Sequence, residues 1–290
     1  MRLRPATRLS LVAPILAGLS GCSLRHGFFD AAGPVAAEQR MHFLTVSAWM
    51  LVVVVPLFVA LPLVLWRYRH RKGKGQHDPD WEFNGILETM VWGIPVLIVL
   101  VMAVNLWGFT KTLDPYSPLP ARMSAATPLE VEVVTLDWKF LFLYPSEGVA
   151  TVDRLVIPAG RPVHFRLTSA SVMQSFDIPR LGSQVYAMAG MVTQVSLMAG
   201  KPGQFRGLNT QYNGVHFPED HFVTEALPQA AFAKWVAAAK ASSNPLDKAA
   251  LAKVMQRSVP PAPVTFSSYR KGLFERIVHS FHIADTRAPS

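Results

Sequence analysis

The chain has almost no cysteine. Cys22 is the only one in 290 residues, so no intrachain disulfide can brace any part of it. Charge is scarce too: 16% of residues are Asp, Glu, Lys or Arg against 50% apolar, and the mean hydropathy is +0.25. That balance is unusual for a soluble chain and points to membrane-spanning segments. The net charge of +9 comes without any nucleic-acid-binding motif. Its basic residues lie at the N-terminus, in one short cluster and through the C-terminal tail, where a basic flank beside an apolar span is a topology signal.

The lone cysteine is explained by its neighbours. Arg2, Arg4 and Arg8 precede an apolar stretch at 9–19, and Leu19-Ser20-Gly21-Cys22 follows, the layout of a secretory signal peptide. A small-residue end meeting Cys resembles the bacterial lipobox. It implies that 1–21 is a signal peptide cut before Cys22, whose thiol carries the lipid (diacylglycerol and palmitate), and that 22–42 is an exported N-terminal segment.

No residue from 43 to 66 is charged; at about 1.5 Å per residue this helix is long enough to cross a hydrocarbon core of about 30 Å. Pro56 and Pro62 are tolerable there because neighbouring helices satisfy the freed carbonyls. A second uncharged run, 89–110, has Trp92 and Trp107 near its ends, at interfacial positions. Between the spans, in the loop 67–88, Arg67, Arg69, Arg71, Lys72 and Lys74 place that loop in the cytoplasm by positive-inside bias. Both ends of the chain are then periplasmic, and the protein is expected as a lipid-anchored, multi-pass protein of the bacterial inner membrane with its large domain in the periplasm.

In that domain, 129–144 alternates at Leu129, Val131 and Val133 and resumes one residue out of phase at Leu136, Trp138, Phe140 and Phe142, which predicts one strand with a bulge. Further period-2 runs at Val163, Phe165 and Leu167 and at 192–197, with Pro-Ala-Gly and Lys-Pro-Gly turns, predict an all-β sandwich over 111–227. The remainder, 228–290, is expected as a C-terminal helical arm. Phe232, Trp235 and Val236 share one helical face, a second helix runs from Asn244 to Arg257, and a tail with Phe266, Tyr269 and Phe274 follows a proline-rich break. Met173, Met188, Met191 and Met198 read as core filling, Trp138 as core packing, and His216 and His221 as surface residues.

The run SVMQSFDIPRLGSQVYAMAGM at 171–191 resembles the cupredoxin-domain signature of subunit II of the haem-copper oxidases, in the copper-less cytochrome o ubiquinol oxidase branch. Asp137-Trp138-Lys139-Phe140, the Trp-Gly-Ile-Pro of the second span and the Phe-Ser-Ser-Tyr-Arg-Lys-Gly-Leu-Phe tail extend the likeness over nearly all of the mature chain. The resemblance implies a membrane α hairpin carrying an all-β cupredoxin-like sandwich with C-terminal helices. It also implies a non-catalytic subunit of a proton-pumping oxidase that reduces oxygen to water. Such a subunit has no cofactor of its own. Haems and one copper belong to subunit I, and the partners are subunit I, small membrane subunits III and IV, membrane lipid and ubiquinol, with no nucleic acid and no cytochrome c.

In the cytochrome c branch the same domain holds a dinuclear copper centre through two Cys, two His, a Met and a Glu carbonyl. By motif, Gln174 here stands at the first His, Asn209 and Asn213 at the two Cys, Gln211 at the carbonyl, Phe217 at the second His and Asp220 at the Met. Thiolates bridging the coppers have no substitute in the side-chain inventory, so no metal is expected. The family also places a carboxylate like Glu88, at the start of the second span, at the mouth of a proton channel of subunit I; the alternative for Glu88 is a carboxylate favoured by the helix dipole. Two other functions fit less well: a copper-less membrane-anchored cupredoxin lipoprotein acting as periplasmic scaffold or sensor, and a cytochrome c oxidase subunit II.

Overall fold

The structure, a computed structural model, describes residues 27–69, 80, 82–182 and 184–285. Cys22, Arg71, Lys72 and Lys74 lie outside the described residues. Two helices, α1 (Pro34–Arg67) and α2 (Gly85–Thr112), contain the two apolar runs, and both are long and apolar enough to cross a membrane. Proline suits the first turn of α1 because its missing N–H would go unpaired there anyway. The helix therefore begins inside the 22–42 segment. Asn84 caps α2, its side chain accepting from Leu87 N at 3.1 Å.

The stretch expected as one bulged strand is a hairpin. β1 (Leu129–Leu136) and β2 (Lys139–Tyr144) pair antiparallel with Leu136 opposite Lys139, leaving Asp137-Trp138 as a two-residue turn. Trp138 has φ 63°, the left-handed backbone that a turn of the type II kind takes at its second central residue. A reversal of the chain, like a bulge, shifts the alternation by one residue, which is why the pattern misled.

The other strands are β3 (Val149–Val152), β4 (Arg154–Pro158), β5 (Val163–Ser169), β6 (Gln174–Phe176), β7 (Val185–Ala187), β8 (Thr193–Leu197), β9 (Gly203–Leu208), β10 (His221–Leu227) and β11 (Val264–Phe266). A six-stranded sheet runs β11-β3-β2-β1-β5-β8. A three-stranded sheet, β4-β10-β9, faces it, and β6-β7 form a small ribbon. Between the two large sheets lie Phe140, Phe142, Phe165, Phe176 and Phe222, with ring centroids 4.7 to 5.4 Å apart in the closest pairs.

The C-terminal helices pack on both faces of the sandwich. α3 (Gln229–Ala241) buries Phe232 and Val236 against the inner core while Trp235 is half-buried. The second helix, α4 (Lys248–Val254), is shorter than expected because Asp247 caps it, accepting from Ala250 N at 2.8 Å. β11 then adds an edge to the large sheet, with Phe266 opposite Ala150. α5 (Leu273–Asp285) lays Leu273, Phe274, Ile277 and Val278 on the sheet's outer face against Val134, Leu141 and Leu143. All six residues of β2 are buried because both faces of the sheet are covered.

The start of α1 is sewn to the sandwich. Ala32 N donates to Arg180 O, Gly200 N to Ala32 O and Ala36 N to Leu181 O, and Val35 belongs to the inner core. A Cβ on Gly33 would lie 2.2 Å from Met198 O, so the close approach requires glycine.

Candidate functional site

One end of the sandwich gathers the Asp137-Trp138 turn, the entry to β6, the loop 209–216, a 3-10 turn at Phe217–Glu219 and Asp220. All six positions singled out as lost copper ligands lie at this end, and four of them, Asn209, Gln211, Asn213 and Asp220, are joined by hydrogen bonds. Gln174 Nε2 donates to Leu136 O and Ser171 Oγ, both at 2.9 Å. Asn209 Oδ1 accepts from the backbone N–H groups of Ser175 and Gln211 at 2.9 Å. Its Nδ2 donates to Gln211 O at 2.8 Å and to Asp220 Oδ2 at 3.0 Å. Asn213 Nδ2 donates to the same Asp220 oxygen at 2.7 Å. Phe217 stands apart from this network, half-buried with its ring 5.8 Å from that of Tyr212.

The network is buried and acidic. Gln174, Asn209 and Asp220 are 2% exposed or less. Burial pushes the Asp220 carboxyl up to about 6, against the lowering effect of the two Asn amides. Beneath it, Asp153 accepts from Phe140 N at 2.8 Å and is pushed up to about 7, chiefly by burial. Lys139, 2% exposed, donates from Nζ to Gln256 O at 2.6 Å and Ser258 O at 2.8 Å, and burial lowers its pKa despite the nearby Asp153 and Asp137. Lys139 and Asp153 escaped the sequence reading. A lysine at the head of an otherwise apolar run, beside Asp137, was the available signal.

These residues do not fit a dinuclear copper centre. Where thiolates are needed, Asn209 and Asn213 turn N–H groups inward, and an N–H donor cannot ligate a metal. Among the described residues the oxygens left without a hydrogen-bond partner here, Gln174 Oε1, Asn213 Oδ1 and Asp220 Oδ1, are hard, whereas copper of this kind takes soft sulfur. The loop keeps its form by amide-to-carboxylate bonds instead.

The remaining candidates are placed as follows. His216 and His221 are exposed, and the His216 ring lies 4.8 Å from that of Trp138. Trp138 is buried beside Gly214. Of the four methionines, Met198 is buried, Met188 is half-buried, and Met173 and Met191 are exposed. The core-filling expectation fails for those two because they sit in the connections flanking the β6-β7 ribbon, where no sheet covers them. Glu88 lies in the first turn of α2 and accepts from the Trp92 indole N–H at 3.1 Å. Cys22 lies outside the described residues.

The sequence model of the family "Cytochrome C oxidase subunit II, periplasmic domain" matches residues 133–226, the span from β1 to β10. Similar proteins include ubiquinol oxidase subunit 2 of Acetobacter aceti, 40% identical over 91% of this chain and 85% of its own length. Cytochrome bo(3) ubiquinol oxidase subunit 2 of Pseudomonas putida is 38% identical over 94% of this chain and 85% of its own length. Quinol oxidase subunit 2 of Bacillus subtilis is 35% identical over 92% of this chain and 82% of its own length. With identity running from the membrane helices through the C-terminal elements, the chain belongs to the ubiquinol oxidase subunit II family.

Proposed function

We propose that the chain is the copper-free subunit II of a proton-pumping ubiquinol oxidase, serving as scaffold and periplasmic cap for a subunit I that carries the haems and one copper. The observation that carries this reading is the pairing of Asn209 and Asn213 with Asp220 where a relay centre would need thiolates. Without a relay, a water-soluble protein donor has no route through this domain, so electrons enter from a lipid-soluble quinol inside the partner subunit. Further small membrane subunits complete the complex. Cys22 is acylated and adds a lipid anchor, and the α1–α2 connection faces the cytoplasm.

Glu88 is the one residue of this chain assigned to the chemistry. At the cytoplasmic start of α2 it passes protons toward subunit I, with Trp92 orienting its carboxylate. A carboxylate that serves only the helix dipole would tolerate an amide of the same shape. The oxidase is purified through a tag on this chain in mild detergent, and haem spectra and quinol-driven oxygen uptake are recorded. Haem should co-purify. Glu88→Gln should slow uptake per haem at full haem content, and Glu88→Asp should slow it less. Wild-type turnover in a well-assembled Glu88→Gln complex would remove the proton-entry role, and a chain that purifies without haem would remove the oxidase reading.

A further inference from the structure

Near the sandwich, beside the point where His42 of α1 lies against Phe109 of α2 with ring centroids 4.1 Å apart, an open groove of about 520 Å³ runs along the two helices. Its head is ionic. Arg122, in the segment after α2, donates from Nη2 to both carboxylate oxygens of Glu38 on α1, at 2.9 and 3.1 Å. The arginine side chain is nevertheless 58% exposed and the glutamate 30%, so each charge keeps an outward edge. Below the head the lining is mostly apolar, with Met41 from α1 and Val104, Gly108 and Phe109 from α2; Asn105 and Thr112 interrupt it, their side chains donating back to the Val101 and Gly108 carbonyls. From Val104 to Thr112 the lining runs about 12 Å along the helix at about 1.5 Å per residue.

A head bearing both signs, above an apolar trough directed along two membrane helices, matches one membrane lipid better than other small ligands. An anionic headgroup would meet the Glu38 carboxylate. A quaternary ammonium has no N–H to give it, whereas a primary ammonium has three. A phosphate suits the fork of a guanidinium.

We propose that this groove holds one phosphatidylethanolamine-type phospholipid, its phosphate at Arg122, its ammonium at Glu38 and an acyl chain along Met41, Val104, Gly108 and Phe109. The lipid ties α1, α2 and the segment leading into the sandwich together at the membrane surface. The inference rests on the membrane placement of α1 and α2 proposed above.

The test uses the purified oxidase complex, delipidated in detergent and then exposed to dioleoylphosphatidylethanolamine or dioleoylphosphatidylcholine, with bound phospholipid counted per haem. A Cβ on Gly108 meets nothing within 4 Å, so the backbone admits a side chain there, and Gly108→Phe, which projects a ring into the groove, should abolish one bound phosphatidylethanolamine. Glu38→Gln should weaken phosphatidylethanolamine binding by about tenfold, as loss of one charge-assisted hydrogen bond implies, and leave phosphatidylcholine binding unchanged. Equal phosphatidylethanolamine retention by wild type and Gly108→Phe would overturn the inference, as would equally tight phosphatidylcholine binding. A crosslink from Gly108→Cys to a neighbouring subunit would overturn it too, placing protein where lipid is assigned. Haem content and oxygen uptake of the same preparations separate the outcomes: intact values with no lipid difference remove only the groove assignment, while absent haem removes the oxidase reading and the inference with it.

Discussion

The membrane hairpin and the sandwich are both rich in apolar side chains and point them in opposite directions. Phe58 and Val104 on the helices are each 74% exposed, whereas Phe140, Phe142 and Phe165 in the sandwich are fully buried. The sandwich removes its apolar surface from water by itself, so it carries its own stability. The hairpin has no interior of comparable size and leaves its apolar side chains exposed. The seam between them is the close approach of Gly33, Val35 and Ala36 to Leu181 and Met198.

The sharpest break in this contrast is a large-to-small change on each side. Phe222→Ala, at the centre of the aromatic cluster, should lower the stability of the sandwich by about 3–5 kcal/mol, read as a lowered thermal midpoint of the full chain in detergent. Phe58→Ala on α1 should leave that midpoint unchanged. A charge reverses the asymmetry. Phe58→Arg should oppose membrane insertion by about 3 kcal/mol, measured as the fraction recovered in membranes, without altering the fold of the sandwich.

Smaller effects sharpen the seam and the polar end of the domain. Gly33→Ala forces a backbone clash with Met198 and should cost about 1–3 kcal/mol, detected as faster amide exchange at Ala32 and Ala36. Asp153 and Asp220 have folded pKa values raised above the unfolded carboxyl range, to about 7 and about 6. The native state therefore holds protons that the unfolded chain has released. Stability from these groups is fully present below about pH 4 and is lost as pH rises through about 6 and 7, by several kcal/mol in all at about 1.4 kcal/mol per pKa unit. Asp153→Asn with Asp220→Asn should flatten that slope in thermal melts, though Asp177 and Glu132, also raised by burial, retain part of it. Least of all, His216→Ala, on an exposed ring, should stay within about 0.5 kcal/mol.

The same contrast explains what was legible in the sequence. Uncharged runs make spans visible because the bilayer tolerates little else, and the helices differ from the expectation mainly by extra turns at their ends. The run 171–191 carried the family because its residues build the β6-β7 ribbon and the entry to the polar loops. The turn at Asp137-Trp138 was hidden because chain reversal and a bulge leave the same one-residue phase shift. α5 was hidden in a short tail whose apolar face, Phe274, Ile277 and Val278, is interpretable only once the large sheet is known to offer a second apolar side. Positions Gln174, Asn209, Gln211, Asn213 and Asp220 were singled out by motif, but the hydrogen bonds joining Asn209 and Asn213 to Asp220 were not, since amide and carboxylate partners within an irregular loop leave no periodic trace.

A subunit of a quinol-fed oxidase without a relay centre gives a soluble donor no route to the haems. Oxygen uptake by the purified complex, with a short-chain ubiquinol and with reduced cytochrome c as alternative donors, tests it most directly. Uptake should be rapid with ubiquinol and no greater than background with cytochrome c; uptake driven by cytochrome c would mean that a relay for a soluble donor exists.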